Sequence, residues 1–137
     1  MNEITIHGNL AAAPTIHRGR ENRPVAVFDV AVNSRWFNQA KSRWETKPTV
    51  WHRVVAFGGL AENVAETLAK GMTVTVTGTY ADDSYTPDGR DHPVRRIRLE
   101  ATDVAVSLRW ATATVTRRPR EQRAPEASDV AEAVDVA

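Results

Sequence analysis

The 137-residue chain contains no cysteine. That absence excludes a disulfide framework, a thiolate metal centre and a cysteine nucleophile, and it suits a reducing compartment. No run of 18 consecutive apolar residues occurs, and the opening residues MNEITIHGNL lack the basic segment and apolar stretch of a secretory leader. Together these absences predict a soluble intracellular protein with no membrane association. The four histidines, His7, His17, His52 and His92, are scattered without metal-ligand spacing, so no metal is expected. There is no Gly-x-Ser-x-Gly elbow, and Asp82 and Asp83 have no evident neighbour in sequence that would shift a carboxyl pKa. Gly58-Gly59 precedes a helical stretch but lacks the Lys-Ser/Thr ending of a phosphate loop, which leaves a plain strand-to-helix turn. Neither an enzyme nor a cofactor is expected.

What is present is one good core. A hydrophobic content of 42% over this length suffices for one domain but not two. The net charge of +1 conceals an uneven distribution. Residues 1–116 carry 14 Lys/Arg against 12 Asp/Glu, the stretch RRPREQR at 117–123 adds three positive charges, and residues 124–137 hold four acids and no base. Within residues 1–53 there are eight bases against four acids, concentrated between Arg18 and Arg53. A locally basic surface and a polyanionic partner follow.

Period-2 alternation recurs along the body. In ITIHGNL, Ile4 and Ile6 alternate with Thr5 and His7, and Gly8 marks a bulge or sharp bend; this first strand resumes after Pro14 as TIHR. RPVAVFDVAVN is a second strand with Ala26, Phe28, Val30 and Val32 on its inner face. Residues 37–48, FNQAKSRWETKP, have no clean period and read as a long hairpin loop. TVWHRVVAF is a third strand. The period then lengthens in GGLAENVAETLAKG, where Leu60, Val64 and Leu68 recur every four residues and Gly71 supplies the C-terminal stop. MTVTVTGTY sets Met72, Val74 and Val76 against Thr73, Thr75 and Thr77 as a fourth strand. ADDSYTPDGRDHP is a loop with the turn signal Pro87-Asp88-Gly89. VRRIRLEATDVAVSL sets Ile97 and Leu99 against Arg96, Arg98 and Glu100 as a fifth strand, and RWATATVT is a candidate short sixth. Beyond Arg117 the Pro, Arg, Glu and Ala content predicts a disordered tail over 117–137.

Five strands with one helix between the third and fourth is the element order of an all-β oligonucleotide-binding (OB) barrel, whose ligands cross strands two and three. Other small barrels share part of that order, so the aromatic residues must decide. The third strand places Trp51, Arg53 and Phe57 on one face and Val50, Val54 and Ala56 on the other. Either the small aliphatic face is the core and the aromatic face meets a ligand, or Trp51 and Phe57 are core aromatics and Arg53 snorkels out.

ITIHGNL, WHRVVAFGGLAENVAETLAKG, VTVTGTY and SLRWATATV together resemble a bacterial single-stranded DNA-binding protein of the actinobacterial type, over residues 1–116. The resemblance implies an OB barrel, a homotetramer, cytoplasmic and nucleoid-associated localisation, and binding of single-stranded DNA without sequence preference in replication, repair or recombination. Unpaired bases expose π-faces, so such a binder needs aromatic platforms with cations nearby, each stacked base contributing about 1 to 3 kcal/mol, a figure established on single-strand binders of this kind. On that reading Trp51, Phe57 and Trp36 stack on bases, with Arg53, Arg35, Arg96 and Arg98 near the backbone. Trp36 and Phe37 open the long hairpin, and Trp44 stands beside Arg43 within it, forming an aromatic and cationic finger; the alternative is a hydrophobic plug under the loop.

The resemblance also brings in Tyr85, at a commonly aromatic position, and Lys70, at a basic one. Asp82 and Asp83 stand where relatives are commonly basic and would repel phosphate, and placement near a helix C-terminus would explain Lys70 without DNA. His52 shares the inner parity of Val54, and the family places its counterpart near a subunit interface; the alternative is a satisfied core histidine. The chain finishes DVAEAVDVA without the acidic Pro-Phe tip with which relatives recruit replication and repair proteins. This argues against such recruitment and for an accessory paralogue, with an RNA-binding or protein-adaptor barrel as the alternative function.

Overall fold

Alternating β-branched and small polar residues close into a barrel because each strand has only one face that can leave water. The computed structural model of the chain describes residues 2–82, 86, 88, 89, 92 and 97–119. Among the described residues eight strands and one α-helix run in the order β1 (Ile4–Leu10), β2 (Thr15–Arg18), β3 (Pro24–Val32), β4 (Arg35–Asn38), β5 (Arg43–Thr46), β6 (Val50–Phe57), α1 (Gly59–Thr67), β7 (Thr73–Asp82) and β8 (Ile97–Val106). The main sheet has the order β1-β7-β8-β6-β3-β2, and a further β1–β3 pairing closes it. All its pairings are antiparallel except β6 with β8. β1 and β2 lie along the same edge of β3, through Leu10↔Val30 and Thr15↔Val27, so they act as one strand interrupted at Pro14.

Glycine makes the closure possible. A Cβ on Gly8 would collide with the Ala31 carbonyl oxygen, so β1 can pass from β7 to β3 only with no side chain there. Gly78 does the same at the β7–β8 bulge, where a Cβ would strike the Glu100 carbonyl.

The interior gathers Ile6 and Leu10 of β1, Ala26, Phe28 and Val30 of β3, Val54 and Ala56 of β6, Val74 and Val76 of β7, and Leu99 of β8. Helix α1 adds Ala61 and Val64, and Leu68 follows it. Each large aliphatic group so buried contributes about 1.5 to 3 kcal/mol. Among the described residues no polar or charged side chain is fully buried. No helix among them is long and apolar enough to cross a membrane.

Several elements depart from the sequence expectation. The supposed loop over 37–48 overlaps the β4–β5 hairpin, a separate two-stranded sheet that begins at Arg35 and ends at Thr46. Helix α1 ends at Thr67 rather than near Gly71, because Leu68 turns to extended backbone while its N–H still bonds to the Val64 carbonyl. Val50, expected in the core, and Ile97, which shares the parity of the buried Leu99, are both 53% exposed. They open β6 and β8 opposite Val32 and Asp82, the last residues of β3 and β7, where the strands overrun the barrel wall. RWATATVT forms no strand: Val106 already faces Val74 and the Ser107 N–H reaches Thr73, so the chain beyond has run past the end of β7. The segment instead extends to α1, where Arg118 pairs with Glu66 at 2.7 Å and bonds to Asn63.

Candidate nucleic-acid interface

The outer face of β3 and β6 is a ladder of side chains fixed by register. Ala31 stands opposite Trp51, Asp29 opposite Arg53, Val27 opposite Val55 and Val25 opposite Phe57. Their inward neighbours Val54 and Ala56 are completely buried. Trp51 is 60% exposed, and small Ala31 across from it leaves the indole face open. Phe57 is half-buried, about 20 Å along the strand from Trp51 at the usual rise per residue. The small aliphatic face is therefore the core and the aromatic-plus-arginine face is outside. Val55, though on the outer parity, is buried apart from the main core.

Arg53 does not project freely. Its Nε and Nη2 donate to the two carboxylate oxygens of Asp29 at 3.0 and 3.2 Å. That side-on pair, by hydrogen bonding first and by charge second, raises the Arg53 pKa further above its ordinary value. At the far end Arg23 sits over the Phe57 ring, its guanidinium carbon 5.5 Å from the centroid. Sequence reasoning passed over Arg23. The available signal was parity: it lies two residues before Val25, the register partner of Phe57.

The β4–β5 hairpin sorts its aromatics by the same rule. Phe37 stands opposite Trp44, with ring centroids 5.5 Å apart and planes tilted by 59°. Arg35, of the same parity as Phe37, lies 5.9 Å from the Trp44 ring. Trp36 is on the opposite face, across from Glu45. Arg43 and Lys41 both reach Glu45, at 3.4 and 3.9 Å. Thus Arg35, Phe37 and Trp44 form one group, while Trp36 and Arg43 are set apart from it. Trp36, the residue for which a plug under the loop is the alternative, is 42% exposed, and Phe37 and Trp44 are 45% and 60% exposed.

His52 is half-buried, and its Nδ1 is 2.9 Å from the Tyr80 hydroxyl. The two rings are stacked, 6.4 Å apart. Tyr80, Ile97 and Trp51 help line an open cavity of about 520 Å³ that also touches His52, Arg53 and Asp82. Tyr80 is a second residue the sequence reading missed; its parity is that of Val74 and Val76, and only the strand overrun brings it outside. Arg98 on β8 is half-buried and bonds to Glu100 at 3.1 Å. Lys70 is exposed in the turn after Leu68, three residues beyond the helix, so the helix dipole does not account for it. Tyr85, Arg96 and Asp83 lie outside the described residues. Among the described residues no group of three or more histidines and carboxylates could hold a metal ion.

The model of the single-strand binding protein family matches residues 1–107 of the chain, the span that holds this closed barrel. The chain belongs to that family. Curated members include single-stranded DNA-binding proteins of Corynebacterium glutamicum, 39% identical over 118 residues, and Paenarthrobacter aurescens, 36% identical over 118 residues. Each alignment covers 85% of this chain; it covers 52% of the first relative and 68% of the second. The member from Mycolicibacterium smegmatis is 35% identical, with 70% of its length covered. The chain thus spans between 52% and 70% of the length of these family members. A solved structure described as a Plasmodium falciparum SSB complex with ssDNA shares the fold, with a TM-score of 0.69 at 22% identity over 78% of this chain and 95% of the other.

Proposed function

We propose that this chain binds single-stranded DNA without sequence preference, by stacking bases on the outer β3–β6 face and attracting the backbone with flanking arginines. The observation that carries this reading is an exposed Trp51 beside Arg53 on the barrel face where OB folds hold oligonucleotides. Phe57 extends the platform and Arg23 supplies a cation at its end. The Arg35, Phe37 and Trp44 group is a second platform on the hairpin, with Trp36 presented from its other face. Lys70, Tyr85, Arg96 and Arg98 are assigned auxiliary contacts, and the role is non-catalytic. The names of the relatives support single-stranded DNA as the ligand, and the setting assigned to it is replication, repair or recombination. The binding unit is residues 1–116, with 117–137 as a tail, and the working state is a homotetramer. In it the half-buried His52 and exposed Tyr80 and Ile97 face a neighbouring subunit.

Titration of intrinsic tryptophan fluorescence with oligo-dT, duplex DNA and RNA of equal length, at two salt concentrations, tests this. Strong quenching by oligo-dT, weaker at the higher salt and weak throughout with duplex, is expected. No quenching by oligo-dT, or equal binding of duplex, contradicts the reading, and a preference for RNA moves the assignment to an RNA-binding barrel.

A further inference from the structure

We propose that Asp29 is a positioning residue which, by holding Arg53 side-on, makes that guanidinium part of the flat stacking surface and withholds it from the DNA backbone. The inference rests on the reading of β3–β6 as a single-strand platform and assigns that platform its charge.

Asp29 and Arg53 are direct register partners on β3 and β6, so their Cβ atoms stand about 5 Å apart before either side chain moves. The sheet has already ordered the pair, and two hydrogen bonds lock the guanidinium plane. Both carboxylate oxygens are used, and Arg53 gives up Nε and one Nη2 hydrogen. What remains toward solvent is a delocalised planar cation, its side chain 61% exposed and its charge balanced by a carboxylate that is itself 39% exposed. A base can stack on such a plane as on an aromatic ring, two residues along the strand from Trp51. A phosphate placed to accept from Arg53 would lie beside the Asp29 carboxylate and be repelled. Backbone contacts then fall to Arg23 over Phe57 at one end of the platform and to Arg35 beside Trp44 on the separate hairpin. Arg43 also holds an acidic partner, Glu45, so the basic excess between Arg18 and Arg53 is partly spent internally, and Arg98 on β8 is likewise paired with Glu100.

The test compares the full-length protein with Asp29→Asn, Arg53→Gln and the double variant, by anisotropy of labelled oligo-dT across a tenfold range of salt. Each phosphate neutralised on a single strand contributes about 0.7 to the slope of log K against log salt. Asp29→Asn frees one cation, so its slope should steepen by about 0.7, and its affinity advantage should grow about 5-fold for each tenfold drop in salt. The double variant exchanges one neutral pair for another and should recover the parent slope. Asp29→Thr, a good strand former, should behave like Asp29→Asn and covers the case in which the latter fails to fold. An unchanged slope in both Asp29 variants, or a double variant shallower than the parent by about 0.7, overturns the proposal while leaving the platform intact. Failure of the parent itself to bind oligo-dT overturns the platform reading, and this inference with it.

Discussion

Replacing Trp51 with alanine separates binding from folding because of where the ring sits. Trp51 lies outside the core cluster, opposite Ala31, with 60% of its surface exposed. A core tryptophan cut to alanine costs about 3 to 5 kcal/mol of stability. At this position the loss should stay within about 1 kcal/mol, since no cavity forms. Binding should suffer more: one lost stack, at about 1 to 3 kcal/mol, raises Kd about 5- to 150-fold. The suitable control is Arg109→Ala, which removes a cation that stacks on Trp110 at 4.9 Å in the segment after β8 and is not itself part of the β3–β6 ladder. Both variants are compared with the parent by anisotropy of labelled oligo-dT, and by thermal melts to confirm folding. A Trp51→Ala protein that melts like the parent and binds within twofold of it would refute the face assignment. So would equal losses in the two variants.

Val54→Ala should cost about 2 kcal/mol in denaturant unfolding, whereas Val50→Ala on the same strand and parity should stay within about 0.5, because the first side chain is fully buried and the second is 53% exposed. Equal effects would contradict the strand overrun at the start of β6. Gly8→Ala should destabilise by more than about 1 kcal/mol in the same assay, since its Cβ must displace the Ala31 carbonyl at the barrel closure; a neutral result would contradict the closure geometry. A double-mutant cycle of Phe37→Ala and Trp44→Ala on oligo-dT binding should show a coupling of about 0.5 to 1.5 kcal/mol, and strict additivity would mean the two rings do not act as one platform.

The elements that the sequence made legible are those in which one face must be apolar. Ala26, Phe28 and Val30 on β3, and Val74 and Val76 on β7, follow alternation because each lines the closed core. Alternation says which side a residue faces, not whether the barrel extends far enough to cover it, and Val50 and Ile97 lie beyond that limit. The β4–β5 hairpin was hidden for a related reason. Its strands bury no core face and are joined by a cross-strand aromatic pair, so they leave no apolar period to read. The Arg53–Asp29 pair joins residues 24 positions apart through the register of two strands, which neither strand specifies alone. The basic excess between Arg18 and Arg53 was plain in the composition, but its partial neutralisation was not. The aromatic-plus-arginine parity of β6 was the most informative signal, since the fold kept it and set it on the exposed side.

Ultraviolet cross-linking of oligo-dT to the full-length protein, followed by peptide mapping, tests most directly whether that exposed side holds the strand. The expected cross-links fall in the peptides carrying Trp51 and Phe57, fade as salt is raised, and drop out at the first position in Trp51→Ala. Cross-links confined to the peptides carrying Tyr80 and Ile97 or to the 107–119 segment, with the β6 peptides unlabelled, would contradict the account.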